Sequence, residues 1–261
     1  MSSLEREALL DALRSHDSAR MAQALTQLAA DGTTLDEELV TVLVALLGVP
    51  DKQVSRRVAG ALAGCVGDER LEPLLRGALK SDLALARWGA AFAIAGADVF
   101  DELVGEAALE ALAIGDGDIR WAAAQIVRAV CEHEPEFVRR VEDAARAGRG
   151  EQRKMAIYCL RDLGHRDAGV YVAALAAEDA GTRHAALSAL QACGVAENAT
   201  IEAVLKRLEQ EADAGVRRSI AVVLGRIMGA HTGAARALAQ AADDSDDPDF
   251  KKAVGLVLRA R

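Results

Sequence analysis

Four aromatic residues carry the first chemical signal: Trp88 with Phe92 four positions on, then Trp121, then Tyr158. Arg56, Lys154 and Arg218 stand at related positions of the chain. Rings flanked by arginine or lysine have the composition of protein-binding hot spots; the same pairing can stack on bases or hold a flat ligand. Residues suited to catalysis are present but not arranged for it. His16, His133, His165, His184 and His231 are scattered, none four residues from another, so no helical metal pair is expected. Cys65, Cys131, Cys159 and Cys193 form no CxxC and read as reduced, mostly buried thiols. No GxSxG, phosphate-binding loop or dinucleotide fingerprint occurs. The acidic run from Asp243 to Asp249 lacks EF-hand spacing and precedes a predicted helix, so it reads as a solvated capping turn. The expectation is a binding protein that is not an enzyme, with no catalytic residue, metal or cofactor.

The elements that must position these rings form a repeat. Arg87-Trp88-Gly89-Ala90-Ala91 and Arg120-Trp121-Ala122-Ala123-Ala124 match in register. Extending the match gives anchors at Arg20, Ser55, Arg87, Arg120, Arg153, Arg183, Arg217 and Lys251, 30 to 35 residues apart. Mostly apolar residues fill offsets −1, +3, +4 and +7, with Gln152 and Thr182 at −1 and a first unit that fits poorly throughout; these offsets lie on one side of a helix. Aspartates stand four before five anchors, at Asp51, Asp116, Asp179, Asp213 and Asp247, and fit N-caps. Other helices are predicted between, at 4–14, 35–48, 69–80, 100–114, 136–147, 167–177, 198–211 and 232–242. Each unit of about 33 residues is then an antiparallel helix pair that buries its apolar faces only by stacking on its neighbours.

The stretch Asp213-Ala214-Gly215-Val216-Arg217-Arg218-Ser219-Ile220-Ala221-Val222-Val223-Leu224-Gly225 resembles the second helix of HEAT-like repeats, of the kind named from phycobilisome bilin lyases. Asp116–Val127 and Asp179–Leu190 are weaker copies. The resemblance implies an all-α solenoid, a right-handed superhelix of about eight stacked antiparallel helix pairs. The whole chain, 1–261, is then a single repeat domain with units at 1–32, 33–66, 67–97, 98–133, 134–164, 165–194, 195–229 and 230–261. It also implies a structural ladder formed by Asp116, Arg120, Asp179, Arg183, Asp213 and Arg217. The second helices would line a concave groove. Offset +1 holds Met21, Arg56, Trp88, Trp121, Lys154, His184, Arg218 and Lys252; offset +5 holds Leu25, Phe92, Tyr158, Val222 and Leu256 among others. Both columns point away from the core, so the groove is expected to carry the aromatic and basic residues together.

Composition narrows the partner. Hydrophobic residues make up 51% of the 261 and aromatics only 3%, so the core is aliphatic and favours helices over sheets. A net charge of −9 disfavours nucleic acid and anionic lipid. No signal peptide or membrane span is expected, which places the chain in the cytoplasm. The leading expectation is a scaffold or adaptor gripping a partner protein in its groove. The repeat type raises a second, bilin-lyase-like handling of a chromophore or its acceptor protein. A third is nucleic-acid binding by the concave face, through Arg56, Lys154, Arg218 and Lys252.

Overall fold

The computed structural model describes residues 3–15, 17–30, 35–229 and 231–260, with residues 3, 29 and 30 in backbone only. His16 lies outside the described residues. The described residues hold sixteen α-helices, one 3-10 turn and no strand. They divide into two compact units, Met1–Phe137 and Val138–Arg261.

The first unit contains α1 (Ser3–Leu13), α2 (Ser18–Ala30), α3 (Glu37–Leu46), α4 (Lys52–Ala63), α5 (Glu72–Ala78), α6 (Ala84–Ala95), α7 (Glu102–Ala111), α8 (Gly117–His133) and the 3-10 turn Pro135–Phe137. Each odd helix packs on the even helix after it. The even helices also pack in series, α2 on α4, α4 on α6 and α6 on α8. The second unit repeats this order with α9 (Val138–Ala147), α10 (Gly150–Asp162), α11 (Ala168–Ala174), α12 (Ala180–Cys193), α13 (Asn198–Gln210), α14 (Ala214–Ile227), α15 (Thr232–Asp243) and α16 (Pro248–Arg259).

The helices start where the aspartates predict. Asp51, Asp116, Asp179, Asp213 and Asp247 each accept first-turn backbone N–H groups of α4, α8, α12, α14 and α16. The core follows the repeat offsets: Val58, Ala90, Ala123, Ala156, Ala186 and Ile220 at +3 are fully buried, as are Leu62, Ile94, Val127, Leu160 and Leu224 at +7.

The first pair departs from this register. Met21, Ala24, Leu25 and Leu28 are buried on α2, whereas Arg20, Gln23 and Gln27 are exposed. The buried face therefore starts one residue later than an Arg20 anchor requires. Met21 and Leu25, assigned by sequence to the outward columns, belong to the core.

The anchor arginines fasten the joint between the two helices of a pair. Arg87, Arg120, Arg183 and Arg217 each donate to the carbonyl six residues earlier, those of Ser81, Ile114, Ala177 and Glu211. These carbonyls lie just past the end of the preceding helix, where the helix's own bonding stops. Two go further: Arg87 reaches Glu110 of the next pair at 2.7 Å, and Arg183 grips Glu211 of the next pair with two bonds of 2.7 and 2.8 Å. The carboxyl of Glu211 is fully buried. Burial pushes it up, but the Arg183 bonds and the Asp213 N–H hold it below its ordinary value. The aspartates of the motif cap their own helices, while their arginines bind carbonyls and, at Arg183, a glutamate.

Candidate functional site

The structure sorts the seven residues singled out by sequence into two places. Arg56, Trp88, Phe92 and Trp121 line one cavity of the first unit, of about 430 Å³. Lys154, Tyr158 and Arg218 line another, in the second unit, of about 790 Å³. Each cavity thus holds part of the set of seven.

The first cavity is built around α6. That helix carries one charged residue, Arg87, and is apolar on nearly every side, so its neighbours must cover it. α4 and α8 pack on it. Gly89 lets α6 approach the end of α3: a Cβ there would meet Leu47 Cδ2 at 2.9 Å and Leu47 Cβ at 3.0 Å. Trp88 and Phe92, one turn apart, touch with ring centroids 5.3 Å apart and planes tilted by 40°. Val49, Pro50, Leu85, Ile119 and Ala122 complete the apolar wall.

Exposure separates the two tryptophans. Trp121 is 67% exposed, whereas Trp88 is 6% exposed. Trp88 thus corrects the outward assignment of its column. It forms the floor of the cavity, because α6 is covered by both flanking helices.

Charges tie those flanking helices together at the cavity. Lys52 Nζ on α4 lies 2.8 Å from Asp116 and 3.2 Å from Asp118 at the start of α8. Arg56 lies 3.7 Å from Asp118. The hydrogen bond to Asp116, with that to Asp118, holds the Lys52 ammonium above its ordinary value; the Lys52 bond likewise holds Asp116 below its own. Lys52, Asp116 and Asp118 escaped the sequence reading as site residues. Lys52 and Asp118 sit off the repeat columns, and the Asp116 position predicts a helix cap and a ladder residue rather than a site.

The second cavity is more open and more polar. The Arg161 guanidinium lies 4.8 Å over the Tyr158 ring and donates to Ser188 Oγ at 3.0 Å. Lys154 bonds Glu151 at 2.6 Å, and His184 Nδ1 lies 3.1 Å from Ser219 Oγ. Gly215 makes room for the His184 ring, since a Cβ there would meet Nε2 at 3.1 Å. The Arg161–Ser188 contact ties α10 to α12, and the His184–Ser219 contact ties α12 to α14.

One group elsewhere has the chemistry of a cation site. Glu142, His165 and Asp167 place their ligand atoms within 4.8 Å of one another. Glu142 comes from α9 and the other two from the connection before α11, so spacing along one helix could not reveal them. Arg146 bonds both carboxylates, at 2.9 Å to Glu142 and 3.1 Å to Asp167, and so already supplies their counter-charge. Three of the four cysteines are buried; burial pushes the Cys131 thiol up to about 11.

No family model and no curated protein matches the chain. Among solved structures, the Escherichia coli protein YibA is similar over 100% of this chain and 93% of its own, at 14% identity and a TM-score of 0.53. An engineered protein is similar over 96% of this chain and 77% of its own, at 20% identity and a TM-score of 0.49. The likeness to YibA extends to the all-helical fold alone. No described helix is long and apolar enough to cross a membrane.

Proposed function

We propose that this chain is a non-enzymatic scaffold or adaptor of HEAT-like repeats, an α-solenoid of eight helix pairs, that grips a partner protein at the Trp88–Phe92–Trp121 cavity. One observation carries the reading. Trp121 is 67% exposed at an apolar-walled cavity whose other lining includes Lys52 and Arg56. A large exposed ring beside an apolar hollow has the make-up of an anchor point. An apolar side chain of the partner would enter against Trp88 and Phe92, and Trp121 would close over it.

The test is affinity capture with the full chain, followed by reconstitution with the purified candidate. Trp121→Ala should abolish the interaction and leave helical circular dichroism unchanged. A partner that binds the variant equally well removes the cavity from the interface.

The cavity volume also falls in the range of small-molecule sites, which favours chromophore handling as the second reading. Co-expression with a bilin should then yield a coloured protein, and a colourless product removes that reading.

A further inference from the structure

In the second unit, α14 and α16 carry charge opposite to that of the whole chain. α14 holds Arg217, Arg218 and Arg226 and no acidic residue; α16 holds Lys251, Lys252 and Arg259 against Asp249 alone. The whole chain is at −9. Asp213 and Asp247 cap the two helices, each directing a carboxylate oxygen at first-turn N–H groups.

The same two helices expose apolar residues in register. Val222 is 44% exposed and Leu256 57% exposed, and they occupy one column of the repeat. Single exposed aliphatic residues are ordinary on a surface. Here two stand on neighbouring packed helices, between cations. Arg218 precedes Val222 by one turn and Arg226 follows by one; Lys252 precedes Leu256 by one turn and Arg259 follows within a turn. Positions three or four apart share a helix face. The face is therefore a short apolar bar with basic flanks. Arg226 and Lys252 are exposed and make no ion pair among the described residues. Arg218 meets Asp247 only at 3.4 Å.

Packed helices lie roughly 8–10 Å apart. That sets the spacing of Val222 from Leu256, and it matches about seven residues of an α-helix at roughly 1.5 Å each. We propose that the α14–α16 face docks an acidic amphipathic helix of a partner protein. Apolar residues at i and i+7 of that helix rest on Val222 and Leu256. Carboxylates on either side of them meet Arg218 and Lys252 on one flank and Arg226 on the other. This is helix recognition by an apolar stripe, with charge fixing the orientation. A lipid surface fits less well, because two aliphatic side chains give little insertion and a chain at −9 is repelled by an anionic bilayer. The inference shares with the cavity reading only the premise of a protein partner, and uses none of the cavity's residues.

The probe is a labelled helical peptide with leucine at i and i+7 and glutamates on both sides of that line. Its binding to the full chain is followed by fluorescence anisotropy. The glutamate peptide should bind, and a version with lysine for glutamate should not. Arg226→Glu with Lys252→Glu should weaken binding about tenfold or more, as should Val222→Ser with Leu256→Ser. All four positions are exposed, and unchanged circular dichroism will verify the fold. Trp121→Ala should leave this binding intact. Failure of the glutamate peptide to bind, or binding indifferent to both double variants, overturns the proposal. Tighter binding to phosphatidylserine vesicles or to polyuridylate than to the peptide overturns it as well. Loss of peptide binding in Trp121→Ala alone overturns this face while sparing the cavity.

Discussion

Lys52 Nζ sits 2.8 Å from the Asp116 carboxylate, across 64 residues of chain. The bond joins α4 to α8, the two helices that flank α6, at the cavity floored by Trp88. Both partners are solvated, with side-chain exposures of 53% and 28%, so the strap is weak and screened by salt. It matters because of where it lies.

Lys52→Glu sets a carboxylate against Asp116 and Asp118 and should part the strap. In a Trp121→Phe background the only tryptophan fluorescence comes from Trp88. Acrylamide quenching of that signal should rise in the variant, and should rise in the parent as salt is added. Quenching that is equal in both proteins at low salt would show that the strap does not cover the ring.

The two tryptophans should behave differently on truncation. Trp88→Ala empties a buried site and should cost about 3–5 kcal/mol. Trp121→Ala removes a ring that is 67% exposed and should leave the urea midpoint almost unchanged. Only the second variant can therefore separate binding from folding. Matching midpoints for the two variants would contradict the assignment of Trp88 to the floor.

Gly89→Ala tests the closeness of α6 to α3. The added methyl meets the Leu47 side chain at 2.9 Å and its carbonyl oxygen at 3.3 Å. A helix interior ordinarily gains stability when glycine becomes alanine. Here overpacking should reverse the sign and cost about 1–3 kcal/mol, read as a lower thermal midpoint.

The repeat was legible because it is written in the core. Aliphatic residues at fixed offsets, with aspartate four before the anchor, predicted the helix order, five N-caps and most of the buried positions. The first pair slipped by one residue because Ala19 precedes Arg20 while Gln23 and Gln27 fill offsets +3 and +7, leaving no sharp apolar edge to fix the register. The site was legible only in part. Helical angle placed Trp88 in an outward column, yet it is buried, on a helix that packs against both α4 and α8. The Lys52–Asp116 bond that joins those helices skips an entire helix pair. Neither a single helix nor a repeat column contains that information. The gathering of Glu142, His165 and Asp167 around Arg146 was hidden for the same reason.

The Arg183–Glu211 pair should be the costliest ion pair to break. Its carboxylate is fully buried, and Arg183 also holds the carbonyls of Ala177 and Glu178. Arg183→Met leaves Glu211 with Arg207 alone, at 3.2 Å, and should cost roughly 3 kcal/mol. Arg183→Met with Glu211→Leu removes the buried carboxylate as well, leaves only the half-buried Arg207 without it, and should recover part of that loss. Chemical denaturation of the two variants reads the difference, and a double variant no more stable than the single one would assign the loss to the carbonyl contacts instead.

Acid should unfold the protein through the same carboxylates. Glu211 lies below its ordinary value of 4.5 because Arg183 and the Asp213 N–H overcome the effect of burial. Asp36, Asp51 and Asp213 are held below 3.8 first by the backbone N–H groups of Leu39, Val54 and Val216. A carboxyl whose folded value is depressed binds its proton more readily in the unfolded chain, so the unfolded state gains protons first as pH falls. The stability these groups contribute is whole above about pH 4.5 and drains away as pH drops through the lowered folded values. The urea midpoint should therefore be flat from pH 7 to pH 5 with respect to these groups and fall steeply below pH 4. Arg183→Met should shrink the acid-labile part, because Glu211 then loses the partner that lowers it. A midpoint that rose on acidification would contradict the capping and pairing geometry at these positions.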